Sequence, residues 1–267
     1  MTGTSISDRL ADGDLTTAVA EATEAVKAAP ADTAARGLLA ELLCLAGQLE
    51  RADTHFGLIA TQDPGAAMGV SLLRKLVRAE AARSDWHQAG RLPEILGETR
   101  VDLRPYVEAG LALRLGEAAR AGELLAQAEA ARVPRAGRCN DRPFEDFRDL
   151  DDRYGGFIEV LTGAGDYRWV ALDAVRRIRF AAPRRPRDLL WREAELELAD
   201  DLSGTVYLPA IYMGVPDDDD PLRLGRTSAW VEAAPGLVRG KGQRCFLAGE
   251  ESVGALDLET IEFGPAP

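Results

Sequence analysis

The sequence predicts an α+β fold in which a helical amino-terminal half is followed by a small antiparallel β-rich domain. Residues 1–135 are dominated by Ala, Leu, Glu and Arg, which are strong helix formers. From about residue 140, short apolar runs alternate with clusters of Gly, Pro and Asp, a pattern typical of strands joined by turns. We therefore expect a helical domain over residues 1–135 and a β-rich domain, barrel-like or sandwich-like, over residues 136–267.

An internal period organises the helical half. Four residues recur with the same identity 34 positions later, and 34 residues is the length of a tetratricopeptide repeat. The pairs are Gly13 and Gly47, Leu15 and Leu49, Ala18 and Ala52, and Pro30 and Pro64. Glycine suits the turn between two helices, alanine allows their close contact, and proline follows the second helix. The period predicts a tetratricopeptide-like α-α superhelix, with a third, less regular copy at Gly116, Ala121 and Pro134.

Hydrophobic periodicity and capping residues predict the individual elements. Predicted helices cover residues 4–11, 14–28, 32–45, 49–61, 65–83, 104–115 and 117–132. Predicted strands lie near residues 157–161, 167–171, 176–180, 194–199, 204–212, 229–233, 243–248 and 258–263, with a helical turn at Arg187–Trp191. The similar segments 170–180 and 254–263 each predict a strand end, a tight turn at Leu-Asp and a second strand. The β-rich domain is therefore expected to contain this unit twice.

Charge and composition exclude several functional classes. The 267 residues carry a formal net charge of −12, which argues against a general nucleic-acid binder and against an anionic membrane surface as a partner. No uncharged apolar run is long enough to span a membrane, and the first residues lack the pattern of a signal peptide. Cys44, Cys139 and Cys245 form no paired motif, which favours a reducing compartment. We expect a cytoplasmic protein that binds neither nucleic acid nor membranes.

The search for catalytic motifs is negative. The two histidines, His55 in a predicted helix and His87 in a predicted turn region, have no Cys or His at ligand spacing. The glycine-rich stretches lack the strand-to-helix context of nucleotide-binding loops, and no nucleophile elbow occurs. We therefore expect no enzyme activity and no catalytic, cofactor or metal site.

Two acidic clusters allow a chemical and a structural interpretation. Asp149, Asp151 and Asp152 could bind a metal or act as acid and base, which would make the β-rich domain an enzyme. The flanking arginines favour salt bridges and capping instead. The run Asp217–Asp220 contains four like charges, so it predicts a mobile, solvent-exposed loop and only weakly a calcium site.

Four aromatic residues of the second half are candidates for protein contacts: Tyr167, Trp169, Trp191 and Trp230. Tyrosine and tryptophan combine an apolar ring with a polar group, and they anchor many protein interfaces. The same residues also fill the cores of small β domains, and this second interpretation is the one that the pattern favours.

The second half resembles a known family at several motifs that occur in order along the chain. The longest is RPFEDFRDLDDRYGGFIEV at residues 142–160. Shorter motifs are DYRWV at 166–170, RDLLW at 187–191, YLPAIY at 207–212, RTSAW at 226–230, GQR at 242–244 and LETIE at 258–262. Together with the helical repeats, these motifs make nearly the whole chain similar to the ImpE/SciE family, also called TagJ.

This resemblance implies an accessory protein of the bacterial type VI secretion system, a contractile machine whose sheath resembles a phage tail. Members of the family are described as binding the amino-terminal helix of the small sheath subunit (TssB) and as connecting with the disassembly ATPase ClpV. The resemblance implies no enzymatic activity. The helical repeats are compatible with this role, because a stacked helical array offers a groove for an amphipathic helix. A peptide-binding scaffold unrelated to secretion is the alternative function.

Overall fold

Helices make up most of the amino-terminal half. The computed structural model describes residues 6–214 and 218–264. The helices of this half are α1 (Ile6–Asp12), α2 (Leu15–Ala28), α3 (Thr33–Leu45), α4 (Leu49–Gln62), α5 (Ala67–Ala89), α6 (Arg104–Arg114) and α7 (Ala118–Ala131). The main difference from the predicted bounds is in α5, which continues six residues beyond position 83 to Ala89. It ends there because Gly90 adopts the left-handed conformation, with φ at 80°.

The turns between paired helices depend on the glycines of the repeat. Gly13, Gly47 and Gly116 have φ values of 81°, 72° and 77°, a conformation that residues with a side chain rarely adopt. Asp14 and Asp32 begin the following helices α2 and α3, because each carboxylate accepts hydrogen bonds from backbone N–H groups of the first turn. The glycines thus allow the chain to turn between two helices, and the aspartates fix where the helices α2 and α3 begin.

The alanines of the repeat lie at fully buried positions of the helical array. Ala18 on α2, Ala52 on α4 and Ala121 on α7 have no exposed surface. A small side chain lets two helix backbones approach, so these positions keep the antiparallel pairs α3–α4 and α6–α7 close together. The period of the sequence therefore corresponds to the period of helix packing.

Strands make up most of the second half. They are β1 (Glu94–Ile95), which precedes α6, and then β2 (Gly137–Cys139), β3 (Arg142–Phe144), β4 (Phe147–Asp149), β5 (Phe157–Thr162), β6 (Tyr167–Ala171), β7 (Val175–Phe180), β8 (Trp191–Leu198), β9 (Ser203–Pro209), β10 (Ser228–Ala234), β11 (Leu237–Gly242), β12 (Cys245–Ala248), β13 (Glu251–Gly254) and β14 (Thr260–Phe263). A short helix, α8 (Asp220–Arg223), precedes β10, and the predicted helical turn is a 3-10 turn at Pro186–Leu189.

Three sheets organise these strands. The largest has the order β1-β6-β5-β9-β8-β7-β14-β2-β3 and is antiparallel except for the β1–β6 pair. Among residues 6–214 and 218–264, β1 and β3 each pair with one strand of this sheet, so the sheet is open at both edges. The others are β13-β12-β4 and the hairpin β10–β11.

The three-stranded sheet packs on the large one through phenylalanines. Phe147 on β4 lies 5.5 Å from Phe144 on β3 and 5.7 Å from Phe263 on β14, measured between ring centroids. The core between the sheets continues through buried aliphatic residues of β5, β7 and β8. This packing of two sheets corresponds to the sandwich-like alternative of the prediction.

The predicted internal duplication of the second half is present. The unit β6, tight turn, β7 and the unit β13, tight turn, β14 have the same order, and their second strands pair, with Ile178 opposite Ile261. The strands β1, β2, β3, β4 and β11 have no counterpart among the predicted strands, and β13 is represented only by the strand end at residue 254. Runs of two or three residues, such as β1 to β4, carry too little alternation to be distinguished from turns.

Both halves contribute to one continuous core. The hydrophobic cluster that contains Leu39 and Leu76 of the helices also contains Phe157, Trp169 and Trp191 of the strands. Helices α3 and α5, which begin consecutive repeats, bond to the β-rich half through the side chains of Glu41, Glu80 and Arg83. The face of a repeat array that commonly binds a partner is therefore largely covered within the same chain.

Candidate functional site

A buried charged group joins the two halves of the molecule. Glu159 on β5 has no exposed surface, and its carboxylate accepts hydrogen bonds from both Nε and Nη2 of Arg83 on α5, each at 3.1 Å. Arg244 also donates to this carboxylate, and the hydroxyl of Tyr167 donates at 2.6 Å. Arg83 further donates to the carbonyl oxygen of Ile211 at 3.1 Å. One carboxylate thus connects α5 to several segments of the β-rich half.

Neighbouring charges keep this group ionised. Burial alone would raise the pKa of Glu159, but the guanidinium groups of Arg83 and Arg244 outweigh burial and hold the pKa well below its ordinary value. A second carboxylate on α5, that of Glu80, lies 2.9 Å from Arg83 and accepts the indole N–H of Trp191 at 3.0 Å. Two buried carboxylates therefore face two buried guanidinium groups.

Three of the four aromatic contact candidates belong to this network or its surroundings. Trp169 donates its indole N–H to Tyr167 at 2.7 Å, and Trp191 donates to a carboxylate of α5. Tyr167, Trp169 and Trp191 are 6%, 1% and 2% exposed, so they are core residues and offer no surface to a partner. Trp230 differs, because 43% of it is exposed on β10 beside Val231, which is 44% exposed. Trp230 alone remains a candidate contact.

A partly apolar cleft of about 680 Å³ lies between α3, α5 and the segment 184–188. We call it the binding cleft. Leu72 and Leu73 of α5 face Gly37 and Leu38 of α3 across it. The three leucines are only half-buried, so they keep apolar surface that a partner can cover.

Small residues keep the binding cleft open. Gly69 lies on its α5 wall, and a Cβ atom at this position would meet no other atom within 4 Å. Ala34 and Ala66 also line it. Between Gly69 and Leu76 the helix rises by about 10 Å, which corresponds to roughly two helical turns. The binding cleft therefore has the length to accept two turns of a partner helix.

The segment 184–188 forms a polar rim of the binding cleft. The carboxylate of Asp188 accepts hydrogen bonds from the backbone N–H groups of Arg184 and Arg185, at 2.8 and 2.9 Å. Arg187 crosses to α3, where its Nη1 donates to Glu41 at 2.7 Å. The segment is thus bonded to itself and to α3, and its guanidinium groups lie beside the leucines.

The first acidic cluster of the sequence has structural partners. Asp151 accepts a hydrogen bond from the backbone N–H of Gly240 at 2.8 Å, and Asp152 from that of Val238 at 2.6 Å, both on β11. Asp149 is buried and accepts a tyrosine hydroxyl at 2.6 Å. The carboxylates of Asp151 and Asp152 thus satisfy backbone N–H groups on the edge of β11 that does not pair with β10. In the described part of the chain, no group of three or more His, Cys, Asp and Glu side chains is arranged to hold a metal ion.

The second acidic run is not a loose loop where the structure describes it. Asp217 lies outside the described residues. Asp218 lies 2.7 Å from the ammonium group of Lys241, and Asp220 accepts hydrogen bonds from the backbone N–H and the hydroxyl of Thr16, at 2.7 and 3.1 Å. Asp218 is buried, which contradicts the expected solvent exposure at that position. Asp219 is exposed, as expected, and its carboxylate accepts the backbone N–H of Leu222 at 3.0 Å.

Both histidines lie on helices. His55 on α4 lies 3.4 Å from Arg36, as expected for an ordinary helix residue. The prediction of a turn at His87 is wrong, because α5 continues past it. Its Nε2 lies 3.2 Å from the hydroxyl of Tyr154 and 3.5 Å from the carboxylate of Glu159. Burial lowers the pKa of His87 to about 4, so the ring is neutral at pH 7.

The residues at the centre of the buried network are absent from the predicted candidates. Glu159 is the only charged residue in the apolar run 157–161, and a single acid in a buried strand indicates an internal partner. Arg83 and Arg244 carry no comparable local signal, because they are 76 and 85 residues away from Glu159 along the chain.

The sequence matches known proteins in both halves. Residues 141–262 match the family model described as ImpE protein, and residues 9–76 match a tetratricopeptide repeat model. The chain is 33% identical over 258 residues to the type VI secretion system accessory component TagJ of Pseudomonas aeruginosa, covering 95% of this chain and 89% of that protein. The chain belongs to the ImpE/TagJ family. The tetratricopeptide match confirms the repeat that the 34-residue period predicts.

The fold of this ImpE/TagJ family member is also that of an experimental structure. The crystal structure of protein VPA1032 from Vibrio parahaemolyticus superposes with a TM-score of 0.89 at 31% sequence identity, and 97% of each chain is covered. The predicted α+β fold class is confirmed. Within residues 6–214 and 218–264, no helix is both long and apolar enough to cross a membrane.

Removing the buried carboxylate should lower the stability of the folded chain. We expect Glu159→Gln to lower the free energy of unfolding by about 3–5 kcal/mol, because Arg83 and Arg244 would stay buried without their main counter-charge. Chemical denaturation measures this change. Glu195→Gln, at an exposed position of β8, is the matched control and should change the free energy by less than about 0.5 kcal/mol. Equal effects of the two substitutions would contradict the role assigned to Glu159.

The buried histidine should make stability depend on pH. Its pKa falls from 6.5 to about 4 on folding, so between these values the unfolded chain binds a proton that the folded chain does not. His87 therefore lowers stability as the pH falls from 6.5 to 4, by at most about 1.4 kcal/mol per pH unit. The His87→Gln variant should lose this contribution, as measured by denaturation at several pH values. His55→Gln, at a less buried ring, should alter the slope less; indistinguishable slopes for wild type and His87→Gln would refute the assignment.

Proposed function

We propose that the protein is a non-enzymatic adaptor of the bacterial type VI secretion system. In this proposal it binds the amino-terminal helix of the small sheath subunit (TssB) in the binding cleft and connects it with the ClpV disassembly ATPase. Membership of the ImpE/TagJ family supports a role as an accessory component of this system. The observation that carries the proposal is the binding cleft itself, an apolar surface on a tetratricopeptide-like array.

The walls of the binding cleft suit an amphipathic helix. Leu38, Leu72 and Leu73 offer apolar surface to side chains spaced three and four residues apart on one face of a helix. Gly37 and Gly69 leave room for its backbone to approach. The rim guanidinium groups favour acidic residues along the edge of the bound helix, since they bind carboxylates in charge-assisted hydrogen bonds.

A non-enzymatic role is supported by the partners of the ionisable groups in the second half. The carboxylates of Asp151 and Asp152 accept backbone hydrogen bonds from a strand edge, and that of Asp149 accepts a buried hydroxyl. Peptide binding without chemistry requires only apolar surface and a polar rim. The proposal includes a cytoplasmic location, in keeping with the three free cysteines at positions 44, 139 and 245.

A charge placed in the binding cleft should weaken peptide capture. We expect the sheath subunit's amino-terminal peptide to bind the full chain, and Leu73→Glu to weaken this binding by about tenfold or more, because a carboxylate would be buried against the apolar face of the peptide. Fluorescence anisotropy of a labelled peptide measures the dissociation constant. Gly69→Leu, which fills the cleft without a clash, should have the same effect.

The control for this titration lies on the same helix. Met68 is 87% exposed and does not line the binding cleft, so Met68→Glu introduces the same charge and should leave the dissociation constant unchanged. A peptide with the same composition and a scrambled order should not bind. Absence of binding by the folded wild-type chain would refute sheath-helix capture, whereas equal losses in Leu73→Glu and Met68→Glu would refute the location.

The second partner needs a surface that the sheath helix leaves free. Trp230 and Val231 are exposed on β10, and neither lines the binding cleft. We expect ClpV to co-purify with the full chain and Trp230→Ala to reduce its recovery, because exposed tryptophans contribute strongly to interfaces. Peptide anisotropy should be unchanged in this variant. Leu115→Ala, at a leucine that is 64% exposed on another face, is the control. Undiminished recovery with Trp230→Ala would exclude this surface.

A further inference from the structure

A second cavity lies where α5 and α6 meet the β-rich half. It has a volume of about 390 Å³, which is within the range of about 300–1,000 Å³ for small-molecule sites. Trp86 of α5, Tyr106 of α6 and Tyr154 and Phe157 of the second half contribute aromatic rings to its lining. We call it the junction cavity. It shares no lining residue with the binding cleft, so it is a separate site.

Three guanidinium groups line the junction cavity, in a chain whose net charge is −12. Arg153 is paired with the carboxylate of Asp151 at 2.6 Å. Arg114 lies 4.8 Å from the centre of the Trp86 ring and donates to the carbonyl oxygen of Trp86 at 2.9 Å, a neutral acceptor. Among the described residues, neither Arg114 nor Arg239 has a carboxylate within salt-bridge distance. The cavity therefore contains more positive than negative charge.

Arg239 is the least compensated of these groups. Its Nε is inaccessible to solvent and has no hydrogen-bond partner within the described ranges. Burial, together with the nearby charge of Arg153, lowers the pKa of Arg239. A buried donor without an acceptor is rare in folded proteins, and an anion in the cavity would supply one.

We propose that the junction cavity binds a small organic anion. Its carboxylate or phosphate would be held by Arg239 and Arg114, and its flat or apolar body would lie against the aromatic lining. Guanidinium groups bind carboxylates and phosphates through paired N–H donors, and aromatic walls bind flat rings. The proposal does not depend on sheath-helix capture, because the two sites have different linings.

Two anions and one neutral analogue test the proposal on the full chain. Benzoate and phenyl phosphate carry a ring with a carboxylate or a phosphate, and benzamide carries the ring without the charge. Trp86 and Trp169 line the cavity, so intrinsic tryptophan fluorescence reports binding, and saturation-transfer NMR identifies the bound protons of the ligand. We expect at least one of the two anions to bind saturably. Benzamide should bind at least about tenfold more weakly than that anion.

Substitutions distinguish this site from nonspecific binding. Arg239→Gln and, independently, Arg114→Gln should each weaken the anion by about tenfold, and far-ultraviolet circular dichroism checks that both variants are folded. Arg226→Gln removes an exposed charge outside the cavity and should have no effect. No saturable response to either anion at about 10 mM, equal binding of benzamide, or unchanged binding in both cavity variants would each overturn the proposal.

Discussion

The relative position of the two halves depends on the buried carboxylate of Glu159. Removing an ion from water costs several kcal/mol, and this cost is offset only where opposite charges and hydrogen bonds meet it with good geometry. Arg83 supplies them from α5, and Arg244 and Tyr167 supply them from the β-rich half. Apolar contacts alone would tolerate small shifts between the halves, whereas the carboxylate of Glu159 keeps its hydrogen bonds in only one arrangement of the halves. The network therefore specifies the docking as well as stabilising it.

This docking decides which part of the helical face remains available to a partner. Helix α5 has 23 residues, and its second half is engaged with β5 and β6 around Arg83. Its first half carries Leu72 and Leu73, which line the binding cleft together with the segment 184–188 of the β-rich half. A groove in an isolated repeat array is built from helices alone. Here the wall comes from both halves, so the binding cleft is complete only when they are docked.

The sequence predicts the local features of this fold well and its long-range pairs poorly. Gly13 and Gly47 carry their own conformational signal, and so the helix pairs and their period follow from residue types. The tryptophans show the limit of this reasoning. Trp191 and Trp230 both lie in predicted strands or turns, but one is 2% and the other 43% exposed. The difference arises because Trp191 packs in the core cluster formed with the helices, where Glu80, distant in sequence, accepts its indole N–H. No local pattern contains that information.

The binding cleft and the junction cavity are both built on α5, and the buried network lies between them. From Leu73 to Trp86 the helix rises by about 20 Å, and Arg83 is fixed to Glu159 within this span. Because Arg83 is fixed to Glu159, a movement of α5 at one site can reach the other site only if Arg83 itself moves. Breaking the Arg83–Glu159 pair would leave each buried charge with only its second charged partner, Glu80 for Arg83 and Arg244 for Glu159, so such a shift is costly. The two sites are therefore expected to act independently as long as the halves stay docked, and coupling between them would require the network to rearrange.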